Sequence, residues 1–194
     1  MIFDGESNHS CQNPDRSQPM TVRIAVLTVS DRASRGEYED LGGPAVKAWL
    51  ERVISSPVEI AIHVIPDGIE SVRDTLIRLC DEDGVDMVLT TGGTGPSPRD
   101  LTPEAMKLVL EKELPGFGEL MRKVSLEQVP TAILSRQTAG TRGKTLIVNL
   151  PGKPGSIDIC LTAVFAAIPF CLDLIGAGRI ETHEDILKAF RPSK

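Results

Sequence analysis

Apolar residues fall into short β-rich runs separated by stretches of helical spacing. Val22 to Val29 is an almost continuous run of apolar β-formers, the pattern of a strand buried on both faces. Ser30, Asp31 and Arg32 end it, and a polar loop leads to Gly42-Gly43-Pro44. Pro44 suits the first position of a helix, along which Ala45, Ala48, Trp49 and Val53 recur at helical spacing. Val58 to Ile65 predicts a second strand, ending at Pro66-Asp67-Gly68. A helix bearing Ile69, Val72, Leu76 and Leu79 follows to about Cys80, and Gly84 stops it. Met87 to Thr91 predicts a third strand, which opens into Gly92-Gly93-Thr94-Gly95-Pro96-Ser97-Pro98-Arg99-Asp100. Thr102 is placed to cap the next helix, with Pro103 at its first position.

Pro115-Gly116 breaks that helix, and Phe117, Leu120, Met121 and Val124 mark another. Ser135 to Asn149 reads as a hairpin turning near Arg142-Gly143, its second strand being Lys144 to Asn149. Pro151-Gly152 leads into a long helix bearing Ile157, Cys160, Leu161, Val164, Phe165 and Ile168, which Pro169 must kink or break. Strands alternating with helices at this spacing predict an α/β fold with a mainly parallel sheet and one antiparallel hairpin strand. Such sheets bind ligands in the crevice at the carboxyl ends of their strands.

The chain has 194 residues, enough for one domain that buries ~70% of its unfolded surface without disulfides or metal. Residues 1–19 are polar, carry Pro14 and Pro19, and lack a basic segment followed by an apolar core. They read as a disordered extension rather than a secretory signal, and the folded domain is placed at residues 20–194. No stretch is read as reaching the ~20 apolar residues of a membrane helix. The net charge of -6 disfavours general nucleic-acid binding. It leaves room for a small phosphorylated ligand if backbone N–H groups and a bound cation supply the positive potential. Cys11, Cys80, Cys160 and Cys171 lack C-x-x-C spacing and read as reduced thiols of a cytoplasmic protein. His9, His63 and His183 are scattered, with no sign of a catalytic role.

The chemistry-bearing residues collect at the predicted strand ends. Ser30 and Asp31 end the first strand, Asp67 the second, the glycine loop and Asp100 the third, and Asn149 the hairpin. If the first hairpin strand is antiparallel, Ser135 starts it on the same edge. One crevice would then gather Asp31, Asp67, Thr91, Gly92, Gly93, Thr94, Gly95, Asp100, Ser135 and Asn149. The glycines permit positive φ and close approach of a ligand, and successive N–H groups there can form an anion nest. A tight strand-to-helix turn without ligand explains the same glycines equally well. A dinucleotide fingerprint starting at Gly93 fails because Pro98 stands where its third glycine belongs. Gly143-Lys144-Thr145 fails as a phosphate loop because Thr138 replaces its first glycine and a strand follows.

Asp67 and Asp100 are the carboxylates suited to share one magnesium ion, which binds one or two carboxylates plus substrate phosphates. Asp67 taken alone is more readily explained as a helix cap. Arg99 is as readily a solvated side chain as a phosphate ligand. Ser135 offers a phosphate donor or merely a strand start, and Asn149 a heterocycle contact or merely a turn. Pro151 and Gly152, next to Lys153, precede a helix and can present N–H groups to an anion.

Seven segments in order carry a family resemblance. They are Ser30-Asp31-Arg32, Ile65-Pro66-Asp67, Thr90 to Gly95, Arg99 to Glu104, Pro115 to Glu119, Leu134-Ser135-Arg136 and Asn149 to Gly152. Together they resemble the MogA/MoaB family, on the side of its molybdopterin adenylyltransferases, from about Val22 to Pro192. The resemblance implies a three-layer α/β/α sandwich, usually a homotrimer, that transfers AMP from Mg-ATP to the molybdopterin phosphate and releases pyrophosphate. It implies an essential magnesium-linked pair at Asp67 and Asp100 and pterin-linked residues at Ser135 and Asn149. The Gly92 to Gly95 loop matches the family's substrate cradle, and the product would pass to a separate molybdate-inserting protein. The alternatives are a MoaB-like pterin-binding or scaffold protein with little adenylyltransferase activity, or the molybdate-insertion reaction, which usually resides in a longer chain.

Overall fold

The computed structural model describes residues 21–193, so the expectations for residues 1–19, Met20, His9 and Cys11 lie outside the described residues. The predicted strands form at their expected places: β1 (Val22–Val29), β2 (Val58–Ile65) and β3 (Met87–Thr91). The two-residue β4 (Lys112–Glu113) pairs with β5 (Ala139–Arg142), which makes the hairpin with β6 (Thr145–Leu150). The six strands run in the order β2-β1-β3-β6-β5-β4. β2, β1, β3 and β6 are parallel, and β5 and β4 are antiparallel additions at one edge. β4 has no signal in the sequence, since two exposed charged residues carry no apolar alternation.

The run from Val22 to Val29 is apolar except for the exposed Arg23 and for Thr28, because both of its faces are covered. Ile24 and Val26 point into one core, together with Trp49, Leu50, Met121, Ile157 and Phe165. Ala25, Leu27 and Val29 point into the other, with Val72, Leu76, Ala105 and Met106. Directly after β1 comes α1 (Asp31–Ser34), a single turn capped by Ser30, whose hydroxyl accepts the Ala33 N–H (3.3 Å). The first core lies beneath α2 (Gly42–Val53), α5 (Pro115–Leu126), α6 (Pro154–Val164) and α7 (Ile168–Ile175). The second lies beneath α3 (Ile69–Ile77), extended by a wider turn at Arg78–Glu82, and α4 (Thr102–Val109). Helices on both faces of a mixed, mostly parallel sheet make the expected three-layer sandwich.

Several boundaries differ from the sequence reading. α2 begins at Gly42, two residues before Pro44. The hairpin starts at Ala139, because Pro130–Leu134 forms a 3-10 turn and Ser135 follows it in the connecting segment. Thr102 is not the cap of α4 but its first residue, and its hydroxyl donates to Gly92 O (3.1 Å). Nor does Asp67 cap α3. Gly68 holds that position at φ 132, and the Asp67 carboxylate turns elsewhere. The long last helix is interrupted as Pro169 requires: a 3-10 turn at Phe165–Ala167 separates α6 from α7, with the proline in the first turn of α7.

The reading that no segment is long and apolar enough to cross a membrane needs correction. Pro154–Ile175 spans 22 residues at mean hydropathy 2.0. Its apolarity serves the core instead, since Ile157, Cys160, Leu161, Val164, Phe165, Ile168 and Leu172 are buried under the sheet.

Candidate active site

The glycine loop is the centre of the site, and its glycines are needed. Gly92 (φ 104) and Gly93 (φ 63) turn the chain sharply off β3. A Cβ on Gly92 would stand 2.3 Å from Val29 O, and one on Gly93 would stand 2.3 Å from Thr102 Oγ1. The Gly92 N–H donates to Leu150 O (3.3 Å), while those of Gly93, Thr94 and Gly95 donate to no group among the described residues. That run of N–H groups is free to serve an anion, as the sequence allows.

Arg136 fastens the far side of the loop. Its Nε donates to Gly95 O (3.0 Å), its other nitrogens donate to Asp100 O and Glu104 Oε1, and its backbone N–H donates to Thr94 O (2.9 Å). Sequence reasoning reached Arg136 only as the neighbour of Ser135. A guanidinium that binds carbonyls 41 and 36 residues earlier in the chain has no local signature.

The carboxylates flank this loop. A Cβ on Gly93 would lie 3.4 Å from Asp67 Oδ1, and one on Gly95 would lie 2.8 Å from Asp100 Oδ2. Asp67 Oδ2 accepts the Asp31 N–H (2.7 Å), and Asp31 Oδ1 accepts the Asp67 N–H (3.1 Å). Asp100 Oδ2 accepts the Ser97 N–H (3.1 Å). Asp67 Oδ1 and Asp100 Oδ1 therefore stay without a protein donor among the described residues. Burial pushes the Asp67 carboxyl above its ordinary pKa, and the nearby Asp31 and Asp100 charges push the same way. Arg99 does the reverse for Asp31: its fork donates to both carboxylate oxygens (3.0 and 2.9 Å) and holds that carboxyl below the ordinary range. Arg99 also donates to Asp67 O (2.7 Å), so it ties two strand ends together.

Two adjoining clefts open over these residues. The first, of about 500 Å³, is lined by Ser30, Asp31, Asp67, Thr91, Gly92, Gly93 and Asp100. Tyr38 and Asp40 also line it. The Asp40 carboxylate receives the Thr28 hydroxyl (2.9 Å) and the N–H groups of Gly42 and Gly43 (3.0 and 3.1 Å), fixing the start of α2. The second, of about 230 Å³, is lined by Thr94, Gly95, Ser135, Pro151, and the less expected Ser125 and Gln137. Gly152 and Lys153 line both and mark the seam.

Asn149 lines neither cleft. It is fully buried on the opposite face of the sheet from Leu150, where its Nδ2 donates to Thr90 Oγ1 (2.9 Å) and braces β6 to β3. The crevice thus gathers every residue the strand ends predicted except this one. The miss has a physical cause, since a one-residue step along a strand reverses the face. Tyr38, Asp40, Ser125 and Gln137 were missed because loop and helix residues reach the clefts through tertiary packing alone.

Among the described residues no group of three or more His, Cys, Asp or Glu is arranged to hold a metal ion. A hard cation that retains waters and arrives with phosphate oxygens requires only one or two carboxylates. The free oxygens of Asp67 and Asp100, on either side of the glycine loop, fit magnesium in that way.

An α/β sandwich with a glycine loop of free N–H groups between two carboxylates is the architecture of a ligand-binding domain of the doubly covered sheet class. Residues 25–169 match the family described as "Probable molybdopterin binding domain", and the chain belongs to that family. It is 54% identical over 174 residues to a molybdopterin adenylyltransferase of Helicobacter pylori strain J99, covering 90% of this chain and 99% of that protein. It is 44% identical over 184 residues to the molybdopterin adenylyltransferase of Escherichia coli K12, covering 89% and 94%. Among solved structures it resembles the molybdopterin biosynthesis enzyme MoaB of Thermus thermophilus (TM-score 0.73, 43% identity, 80% and 96% covered). It also resembles MogA (TM-score 0.74, 37% identity, 79% and 99% covered).

Proposed function

We propose that the protein is a molybdopterin adenylyltransferase of molybdenum-cofactor biosynthesis, transferring AMP from Mg-ATP to the terminal phosphate of molybdopterin. The observation that carries this reading is the position of Asp67 and Asp100 on either side of the glycine loop, with the nucleotide-sized first cleft meeting the second at Gly152 and Lys153. The names and high identity of the relatives support it.

The first cleft takes the triphosphate and the second takes the pterin. Magnesium, when bound with the nucleotide, neutralises polyphosphate charge that an acidic protein would otherwise repel. Asp67 and Asp100 are the residues that would hold it. The N–H groups of Gly93, Thr94 and Gly95 orient the phosphates, and Lys153 supplies a cation at the seam. A molybdopterin phosphate oxygen attacks the α-phosphorus in line. One P–O bond forms, the bond to the bridging oxygen breaks, and its electron pair leaves with pyrophosphate. The attacking phosphate is already ionised near neutral pH, so no side chain has to take a proton. Catalysis is positioning and electrostatics.

The proposal includes the homotrimer of the resemblance, a cytoplasmic location consistent with the free thiols of Cys80, Cys160 and Cys171, and delivery of the product to a molybdate-inserting protein. It includes neither a nucleic acid nor a membrane partner. It also retains residues 1–19 as an extension dispensable for turnover. Incubating the protein with molybdopterin and Mg-ATP tests the activity: adenylyl-molybdopterin and pyrophosphate should appear together. Tight molybdopterin binding without either product would assign the chain to the pterin-binding or scaffold branch.

A further inference from the structure

From the wall of the second cleft a polar chain runs back into the core, and the proposed transfer step gives it no role. Gln137 is 2% exposed and Cys160 fully buried, in a region otherwise packed with aliphatic side chains. The Ser135 hydroxyl donates to Gln137 Oε1 (2.5 Å). At the other end of the amide, Gln137 Nε2 donates to Cys160 Sγ (3.8 Å), and Cys160 Sγ lies 3.6 Å from Ser125 Oγ. Ser125 comes from the last turn of α5, Cys160 from α6, and Ser135 and Gln137 from the segment before β5. Three separate elements are therefore joined by one chain of hydrogen bonds.

The backbone at Gln137 is held tightly. Arg122 donates to Gln137 O (2.7 Å), and a Cβ on Gly118 would stand 2.2 Å from that same oxygen. Gly118 thus lets α5 press directly on the segment. A buried amide in such a setting is kept only when its donors and acceptor are matched.

The direction of the chain follows from the inventory of donors. Two acceptors lie within reach of the Ser135 hydroxyl, Gln137 Oε1 (2.5 Å) and Thr94 Oγ1 (3.5 Å); the nearer amide oxygen takes the proton, so Ser135 faces the cleft with lone pairs only. The amide NH₂ occupies the sulfur as an acceptor. The Cys160–Ser125 contact admits either donor, and with the amide NH₂ already donating to the sulfur, the arrangement that also satisfies the thiol proton is S–H donation to Ser125 Oγ, which leaves the serine O–H for the cleft. Burial pushes the Cys160 thiol up in pKa, which keeps it protonated and able to donate.

We propose that Gln137 and Cys160 are positioning residues that fix the hydrogen-bond polarity of two cleft serines, making Ser135 an acceptor and Ser125 a donor toward the pterin. This rests on the assignment of the second cleft to the pterin. The pyrimidinone end of a pterin carries both N–H donors and a carbonyl acceptor, and a cleft lined by one serine acceptor and one serine donor offers a partner of each kind. A site that matches a donor–acceptor pair discriminates against an analogue lacking it, because a buried partner is left unsatisfied. The discriminating groups would then be serines whose own sequence context reveals nothing of their polarity.

The test measures molybdopterin affinity by fluorescence without nucleotide, alongside KM for Mg-ATP and kcat. Cys160→Ala should weaken molybdopterin binding about five- to tenfold, the effect of one lost hydrogen bond. KM for Mg-ATP should stay within about twofold of wild type, since the first cleft is untouched. Cys160→Ser, which can still accept from Gln137 and donate to Ser125, should recover affinity to within about twofold of wild type. Gln137→Glu puts an acceptor oxygen where the amide NH₂ stood and draws the Cys160 S–H away from Ser125, so it should weaken molybdopterin binding at least as much as Cys160→Ala. Ser125→Ala alters the cleft wall at the partly exposed end of the chain, so it guards against a folding artefact. It should lose the same affinity, with no further loss when combined with Cys160→Ala. Equal affinities for Cys160→Ala and Cys160→Ser, or additive losses in the double variant, would overturn the polarity relay while leaving the adenylyltransferase reading in place. A wild-type protein that turns over Mg-ATP and molybdopterin, yet shows no weakening in any of these variants, would do the same. Failure of the wild type to bind molybdopterin would overturn both.

Discussion

Asp31 and Asp67 cap each other: the backbone N–H of each donates to the carboxylate of the other, at 2.7 and 3.1 Å. The pairing joins the ends of two adjacent parallel strands, whose register places Val29 beside Ile65. It sets two like charges close together, and Arg99 neutralises one of them. Asp31 is left as the tied, low-pKa member and Asp67 as the burdened one.

That imbalance makes the stability contribution of Asp67 pH-dependent. Its folded-state pKa is raised by burial, so between the unfolded value near 3.8 and the folded value the native state binds more protons. Its contribution is fully present below the unfolded pKa and is lost as pH rises through the folded pKa. At neutral pH the ionised group therefore opposes folding. Asp67→Asn should abolish adenylate transfer yet leave the melting temperature at pH 7 equal to or above that of wild type, with the difference shrinking toward about pH 4. A variant that melts well below wild type at neutral pH would show that the carboxylate is structural.

Asp31 should behave in the opposite sense. Arg99 depresses its pKa, so its stabilisation is present above the unfolded pKa and is lost as pH falls through the folded value. The pair is exposed to solvent, and Arg99→Ala should shift the melting temperature at neutral pH by no more than about 2–3 °C. Loosening the Asp31 end should instead raise KM for Mg-ATP several-fold with little change in molybdopterin affinity. Parallel Mg-ATP and molybdopterin titrations check this split.

The glycine loop should not tolerate side chains. Gly92→Ala forces a Cβ into Val29 O at a left-handed φ. Strain of about 1–3 kcal/mol should lower the melting temperature by roughly 3–10 °C. Gly143→Ala, also at positive φ but with open space around it, should lose less. Thermal denaturation of the two variants, compared side by side, decides whether close approach matters beyond backbone conformation.

Most of this architecture was legible in the chain because β1 and β3, parallel strands buried on both faces, write themselves as nearly continuous apolar runs, and the edge strand β2 keeps enough β-branched residues to show beside them. β1, β2 and β3 begin and end at the residues predicted. The crevice was legible because Asp31, Asp67, the glycine loop and Asp100 follow directly from those strand ends. Asn149 misled because apolar patterning marks a strand without marking the face that its last residues present. Ser135 reached the expected cleft by an unexpected route, a 3-10 turn and connecting segment in place of a strand. The linkage of Gln137, Ser125 and Cys160 was invisible, since their hydrogen bonds join residues on three separate elements.

The central claim is that Asp67 and Asp100 serve phosphoryl chemistry on a site that binds the pterin without them. The most direct measurement is formation of adenylyl-molybdopterin by wild type, Asp67→Ala and Asp100→Ala, each scored together with molybdopterin binding in the absence of nucleotide. The account predicts product from the wild type, at least about a hundredfold less from either variant, and molybdopterin affinity within about threefold throughout. Retained turnover in both variants, or loss of molybdopterin binding in step with loss of product, would contradict it.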